Sequence, residues 1–250
     1  MERSFVIGGG SRGLGRAVAD ELVRQGARVL LVARNEDSLA EAVAALGERA
    51  SSVAADLGSP EGAEVVTRAV DEQLGGRIDG ALVNQGGPPA GSMLDLTDEQ
   101  WHLAFELCVA GPIRLVRALT PKLSDDASVV FVASSSTRRA IPGLDASNVL
   151  RPGVAALVGA LARALAPVRV NAVSPGRFDT ERGESVLVAR AEARGVPVEE
   201  ERAAMAALIP AGRFGETEEF ARAVAFLLSP EASYITGANL AVDGGLVVSA

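Results

Sequence analysis

The chain has 250 residues, a net charge of −8 and a sequence pI of about 4.9, and apolar residues make up 48% of it. That apolar fraction is enough for a large core and excludes intrinsic disorder, while the acidic balance argues against nucleic acid or an anionic membrane as a partner. Cys108 is the only cysteine, which excludes an internal disulfide and indicates a reducing compartment.

The sequence enters its first strand-like run within a few residues of Met1, without the hydrophobic region that a signal peptide needs. The longest nearly uncharged stretch, residues 152–165, is too short to cross a bilayer. We therefore expect a cytoplasmic protein.

Strand-like apolar runs alternate with helical patterns along the whole chain. The sequence predicts strands near residues 4–7, 28–32, 51–54, 80–83, 128–132, 169–173 and 239–242, and helices near 13–25, 35–49, 60–74, 97–123, 147–166, 184–208 and 217–228. This alternation predicts a single-domain α/β Rossmann fold over residues 1–250, with a doubly wound, mostly parallel, seven-stranded sheet.

The glycine cluster from Gly8 to Gly15 joins the first strand to the first helix and is the most informative segment. Its glycines allow a sharp turn and a close approach to a pyrophosphate, whose charge the N–H groups and positive end of the next helix then hold. Asp56 and Asn84 stand at the ends of the next strands. The pattern predicts a nucleotide-binding cleft.

Two later segments depart from the plain alternation. Residues 153–165 are apolar nearly all round, with Arg163 as the only charge, which predicts a helix covered by the sheet on one side and by a partner subunit on the other. The alternative is two-sided burial within one chain. Residues 177–212 are charged and alanine-rich, which predicts a helical insertion acting as a substrate lid. The alternative there is a solvated helical hairpin.

Five motifs carry a resemblance that covers essentially the whole chain: Gly9-x-x-x-Gly13-Leu14-Gly15, Asp56-Leu57, Asn84-Gln85-Gly86-Gly87, Pro175-Gly176 with Asp179-Thr180, and a C-terminal stretch from Gly212-Arg213-Phe214-Gly215 to Val242-Asp243-Gly244-Gly245. Together they resemble the short-chain dehydrogenase/reductase family, and most closely its 3-oxoacyl-acyl-carrier-protein reductase branch. Gly8 stands where the family has threonine, and Gln85-Gly86 where it has Asn-Ala. Neither change removes a backbone contact to a phosphate.

The resemblance implies which residues surround the cofactor and in what order. They are Gly9, Ser11, Arg12, Gly13, Leu14 and Gly15 at the phosphates, Asp56 and Leu57 at the adenine, Asn84 and Gly86 at the adenosine ribose, and Pro175, Gly176, Phe178 and Thr180 at the nicotinamide. The resemblance also implies a homotetramer, which the apolar residues 153–165 and the C-terminal Leu246-Val247-Val248 favour.

The residue at the end of the second strand indicates whether the cofactor is NAD or NADP. NAD enzymes place an acidic residue there to bind the ribose hydroxyls, whereas this chain has Arg34, with Arg12 in the phosphate loop. Two guanidinium groups suit a 2′-phosphate, which arginine can bind with two hydrogen bonds. The pattern predicts NADP, with ordinary surface arginines as the alternative explanation.

The catalytic residues of the family are where the resemblance fails. The family uses a tyrosine as proton donor, a lysine four residues later, a serine and an asparagine, but Tyr234 and Lys122 are the only tyrosine and lysine of this chain. The tyrosine position maps to Ser147, the lysine position to Arg151 and the asparagine position to Cys108. The serine is retained as Ser134 or a neighbour. Arg151 could still hold the ribose, and the two serines a carbonyl oxygen.

Two hypotheses about function follow. The first is an NADP-dependent oxidoreductase, similar to a 3-oxoacyl reductase, that acts on a small carbonyl or secondary alcohol with degenerate catalytic residues. The second is a catalytically impaired NADP-binding protein with a regulatory or scaffold role. No metal site is predicted, since one cysteine and His102 cannot form a zinc site at ordinary spacing.

Overall fold

A computed structural model of the protein describes residues 2–247. Within that range, apolar and β-branched runs form seven strands, each followed by at least one helix except for the last. The strands are β1 (Ser4–Gly8), β2 (Arg28–Ala33), β3 (Ala50–Ala54), β4 (Ile78–Val83), β5 (Leu123–Val132), β6 (Arg169–Pro175) and β7 (Asn239–Val242).

The helices connect successive strands. They are α1 (Gly13–Arg24), α2 (Glu36–Leu46), α3 (Pro60–Leu74), α4 (Asp98–Phe105), α5 (Gly111–Leu119), α6 (Asp145–Ala164), α7 (Glu181–Arg194), α8 (Val198–Ala206) and α9 (Thr217–Leu228). Between residues 2 and 247, none of them combines the length and the apolar character needed to cross a membrane.

All strands are parallel, in the order β3-β2-β1-β4-β5-β6-β7. This is the doubly wound Rossmann arrangement predicted from the sequence. The chain runs outward from β1 to β3 and then crosses to β4 on the other side of β1. Ligands of such sheets bind in the crevice beyond the carboxyl ends of the strands at this reversal.

Both faces of the sheet are buried, because successive side chains of a strand point to opposite faces. In β1, Phe5 and Ile7 pack into the core beneath α1 and α9, whereas Val6 packs into the core beneath α3, α5 and α6. The two cores hold the carboxyl ends of β1, β4, β5 and β6 in fixed register.

Two predicted helices are interrupted in the structure. The helix predicted over 97–123 is divided by a π-helical turn, Glu106–Ala110, and β5 begins at Leu123. Pro112 has no N–H to donate to the carbonyl of Cys108, which accounts for the wider turn. The helix predicted over 184–208 is the pair α7 and α8, because Gly195 ends α7 with a φ of 66° and Pro197 precedes α8.

Candidate cofactor and active site

The glycine loop between β1 and α1 is held tightly by its own backbone. Gly9 and Gly13 have φ angles of 61° and 56°, which favour glycine. A β-carbon on Gly9 would lie 2.7 Å from Nδ2 of Asn84, and one on Gly15 would collide with the carbonyl of Gly9. Arg12 precedes α1 without capping it through its side chain, so the first-turn N–H groups face the cleft as donors for an anion.

The ends of β3 and β4 border the same cleft. The backbone of Asn84 lies so close to Gly8 that a β-carbon there would be 2.8 Å from the Asn84 carbonyl oxygen. Glycine in place of the family's threonine therefore fits the space. Asp56 accepts a hydrogen bond from the N–H of Gly58 at 2.9 Å, and Leu57 is buried beside it. Asp56 is thus held at the end of β3, on the predicted adenine side.

Arg34 follows β2 directly and its side chain is exposed. Glu36 and Asp37 come next, but they occupy the first turn of α2, where the helix dipole favours acidic side chains. Arg12 donates to a carboxylate oxygen of Glu181 at 3.0 Å, and both side chains are about three-quarters exposed (74% and 75%). An exposed pair of this kind contributes little stability, so Arg12 can turn to another anion.

The segment after β6 forms the opposite wall. Gly176 donates its N–H to Val242, and a β-carbon there would lie 2.6 Å from the β-carbon of Asp243. Phe178 is buried edge-on against Phe220, with ring centroids 5.7 Å apart. Pro175-Gly176 and Phe178 are therefore fixed by the β7 turn and α9.

Thr180 joins this wall to the glycine loop. Its hydroxyl accepts a hydrogen bond from the N–H of Gly183 at 3.0 Å and so caps α7. Its methyl group lies 3.9 Å from where a β-carbon of Gly13 would be. The start of α7 therefore lies beside the glycine loop at the start of α1.

The three serines near the end of β5 and the start of α6 form a connected group. Ser134 accepts from the N–H of Ser136 at 3.1 Å, and the hydroxyls of Ser136 and Ser147 lie 2.9 Å apart. Ser147 is 6% exposed. Its hydroxyl is thus bonded to Ser136 rather than to Ser134, the serine that the sequence singled out first.

Arg151 lies one helical turn after Ser147 and donates to two carbonyls, Val132 at 2.5 Å and Gly86 at 2.9 Å. Its Nε is buried without a partner among the residues that the structure describes. Burial lowers the pKa of Arg151, and the nearby Arg182 lowers it further, yet a guanidinium stays protonated in proteins. Arg151 therefore places a fixed positive charge between β5 and the loop after β4.

Cys108 is fully buried in the π-helical turn that faces Arg151. Burial raises the pKa of its thiol, an effect that the charges of Arg151 and Arg182 only partly oppose. The thiol is neutral at physiological pH and makes a poor nucleophile. It fills the position that the resemblance gives to an asparagine.

Sequence reasoning gave no role to two polar side chains that border the cleft. The guanidinium of Arg182 lies directly on Gly87, with Nη2 3.5 Å from the Pro88 carbonyl. The Gln85 amide is buried beneath Gly111, without a partner within residues 2–247. Arg182 could have been noticed as a cation in the first turn of a helix, a place that disfavours cations.

The only tyrosine and the only lysine lie outside this site. Tyr234 is fully exposed, and Lys122 pairs with Asp71 at 2.5 Å just before the amino end of β5. The cleft is at the carboxyl ends of the strands. Neither side chain is therefore in position to act as the proton donor or its lysine neighbour.

Helices α7 and α8 lie within the predicted insertion, residues 177–212, and pack against each other. Glu201 is 1% exposed and accepts hydrogen bonds from Arg190 and Arg194. A small apolar cluster supports this hairpin, consisting of Leu187, Met205, Ile209 and Phe214. The hairpin begins directly after Thr180, one of the residues predicted to lie at the nicotinamide.

The comparisons with known proteins agree with this geometry. The model of a family described as enoyl-(acyl carrier protein) reductase matches residues 9–247. The 3-oxoacyl-[acyl-carrier-protein] reductase FabG of Vibrio cholerae is 32% identical over 246 residues, covering 96% of each chain. These matches span the glycine loop, the serine group and the hairpin alike.

Solved structures resemble the chain over nearly its whole length. L-Sorbose reductase from Gluconobacter frateurii, complexed with NADPH and L-sorbose, aligns with a TM-score of 0.93 at 28% identity, covering 100% of this chain and 98% of the other. A short-chain oxidoreductase from Pseudomonas aeruginosa PAO1, described as containing an atypical catalytic center, aligns with a TM-score of 0.89 at 32% identity, covering 99% and 98%.

Proposed function

Because this chain belongs to the short-chain dehydrogenase/reductase family and is an oxidoreductase, we propose that it uses NADP(H) to interconvert a small carbonyl compound and a secondary alcohol, in the manner of a 3-oxoacyl reductase but with degenerate catalytic residues. The observation that carries the proposal is the glycine cradle between β1 and α1. A β-carbon would meet the Asn84 side chain at Gly9 and the Gly9 carbonyl at Gly15, and the first-turn N–H groups of α1 face the cleft.

The cradle and its surroundings fit a dinucleotide. The phosphates would be held by Gly9, Ser11, Arg12, Gly13, Leu14 and Gly15, the adenosine by Asp56, Leu57, Asn84 and Gly86, and the nicotinamide by Pro175, Gly176, Phe178 and Thr180. Arg34 and Arg12 would bind the 2′-phosphate of NADP, because both guanidinium groups are exposed and Arg34 directly follows β2, where NAD enzymes place an acidic residue. The NADPH-bound sorbose reductase supports the choice of NADP.

A bound nicotinamide would supply or accept the hydride, and the chain's own residues would position the reacting carbonyl. Ser134 and Ser147 would donate hydrogen bonds to its oxygen, and Arg151 would place positive charge beside the oxygen as negative charge develops there. A serine hydroxyl is a far weaker acid than a phenol, so the general acid contribution of about 10²–10⁴-fold is largely absent. We expect slow turnover.

The decisive experiment follows NADPH oxidation with a panel of ketones, diketones and 3-oxoacyl thioesters. Ser147→Ala and Ser134→Ala should each reduce the rate, whereas the control Ser52→Ala, in β3, should not. NADPH fluorescence titration is run beside it. Tight binding without turnover of any carbonyl would favour the alternative, an impaired NADP-binding regulatory or scaffold protein, which the missing tyrosine and lysine also favour.

The assembly and the setting belong to the same proposal. Ala156 and Ala160 are exposed on α6, which supports a homotetramer built partly on that helix. Val248 of the C-terminal apolar run lies outside the described residues. Light scattering at micromolar concentration tests the tetramer, and a monomer mass would contradict it.

A single buried cysteine supports a cytoplasmic setting. Residues 177–212 would act as the substrate lid.

A further inference from the structure

We propose that Arg182 binds a carboxylate of the substrate, so that the carbonyl compound is an oxo acid rather than a neutral ketone or ester. This inference rests on the proposed function, because it assigns a substrate class to the same cleft. Arg182 belongs neither to the glycine loop nor to the serines proposed to bind the carbonyl oxygen.

The position of Arg182 in its helix is unfavourable without an anion. It is the second residue of α7, which Thr180 caps, and the positive end of a helix dipole repels a cation there. The same helix end attracts anions. A carboxylate bound at Arg182 would therefore be stabilised by both the side chain and the helix terminus.

The start of α7 presents two different sides to the cleft. Thr180 approaches Gly13, and Glu181 pairs with Arg12, so these residues face the glycine loop and the phosphates. The guanidinium of Arg182 lies instead on Gly87, next to the segment whose Gly86 carbonyl accepts from Arg151. Arg182 thus faces the side where the reacting carbonyl would lie.

Arg182 also lacks the counter-ion that its neighbours have. Arg190 and Arg194 of α7 pair with Glu201, and Arg202 of α8 pairs with Asp179 and Glu184. Within residues 2–247, no carboxylate pairs with Arg182 or with Arg151, and the two guanidiniums repel each other. Arg182 is exposed, whereas Arg151 is held by two carbonyls, and an anionic ligand at Arg182 would offset the repulsion between their charges.

These contacts define the ligand. Arginine binds a carboxylate through two parallel N–H···O hydrogen bonds, and the carbonyl of the same molecule must reach Ser147 and Arg151. An oxo acid supplies both groups in one molecule, and the 3-oxo acid acetoacetate is the simplest probe that has a matching neutral ester. Its neutral ester has the same carbonyl but no charge for Arg182.

The test measures binding in a complex that cannot react. NADP⁺-saturated protein is titrated calorimetrically with acetoacetate and with ethyl acetoacetate, since NADP⁺ cannot give a hydride to a ketone. We expect acetoacetate to bind about tenfold or more tightly than the ester. Arg182→Met should remove that preference by weakening acetoacetate alone, and Arg182→Lys should retain part of it, because lysine keeps the charge without the fork.

Controls separate this role from others. Arg68→Met, on the exposed face of α3, should leave both affinities unchanged. Equal affinities for the two ligands, no detectable binding of acetoacetate, or weaker NADP⁺ binding in Arg182→Met would each overturn the inference. Absence of NADPH oxidation with every carbonyl would instead contradict the proposed function, while the preference for acetoacetate would still be measurable.

Discussion

The glycine loop and the start of α6 border the same cleft, yet they preserve the family pattern to very different degrees. The loop keeps its glycines, and its positions are fixed by backbone contacts of Gly9 and Gly15. At the start of α6, Ser147 and Arg151 replace the tyrosine and lysine of the resemblance, and Cys108 stands opposite in the π-helical turn.

The difference teaches that cofactor binding and proton transfer make separate demands on the chain. Binding a pyrophosphate requires backbone N–H groups and the absence of β-carbons, which changes elsewhere do not disturb. Proton transfer requires particular side chains of suitable acidity. We therefore expect that this chain can lack the family's proton donor and still bind the cofactor.

The largest effect is expected from Gly15→Ala. The new β-carbon would collide with the carbonyl of Gly9, so the loop must shift. We expect a loss of about 1–3 kcal/mol in the free energy of unfolding. NADPH affinity should fall about 100-fold or more, because several charge-assisted hydrogen bonds depend on the loop. Fluorescence titration and urea unfolding measure both.

Gly153→Ala is the matched control, because a β-carbon at this exposed position of α6 meets nothing within 4 Å. This change should leave NADPH affinity unchanged, and light scattering must give the same mass as for the unmodified protein, because residue 153 lies on the helix proposed for the subunit interface. If Gly15→Ala and Gly153→Ala had the same NADPH affinity, the collision of a β-carbon with the Gly9 carbonyl would not explain why the loop needs glycine at position 15.

Arg34→Ala is next in size and affects the adenosine end only. Loss of a charge-assisted phosphate contact of about 1.5–3 kcal/mol should weaken NADPH binding by about 10- to 100-fold. NADH has no 2′-phosphate, so its affinity should not change. Fluorescence titrations with NADPH and NADH measure both affinities for Arg34→Ala and for the control Arg68→Ala. Equal or tighter NADH binding in the unmodified protein would contradict the NADP proposal.

Restoring the family residues addresses the other side of the cleft. Ser147→Tyr combined with Arg151→Lys and Cys108→Asn should raise NADPH oxidation about tenfold or more, because a phenol paired with lysine restores the general acid. Ser147 and Cys108 are buried, so thermal unfolding must show that the variant is folded. A robust rate in the unmodified protein would instead show that another proton donor operates.

The smallest effect concerns the hairpin. Hydrogen bonds from Arg190 and Arg194 lower the pKa of Glu201. The carboxylate therefore stabilises the fold above about pH 4.3, the pKa of an unperturbed glutamate, and this contribution is lost as pH falls through the lowered value. Glu201→Gln should speed proteolysis between Gly195 and Val198 at pH 7 and reduce its pH dependence. NADPH affinity should be unchanged, and equal proteolysis rates would contradict a role of Glu201 in the hairpin.

Much of the fold was predictable because its signals are local. Apolar runs, the glycine cluster and the alternation of strands with helices specify the doubly wound sheet, and all seven strands lie where they were predicted, with shifts at their ends. The division of residues 97–123 was harder, because it depends on one missing N–H at Pro112. The break between α7 and α8 depends on the conformation of Gly195.

The sequence by itself determined the sheet, the position of the glycine loop and the absence of a Tyr-x-x-x-Lys motif, because each of these depends on residue type and spacing along the chain. Only the tertiary structure decided that Ser147 pairs with Ser136, that Arg151 bridges Val132 and Gly86, and that Arg182 lies on Gly87 with no carboxylate of residues 2–247 paired to it. These contacts join residues from different strands and helices. Their distances depend on how the sheet brings the carboxyl ends of its strands together, which no local pattern encodes.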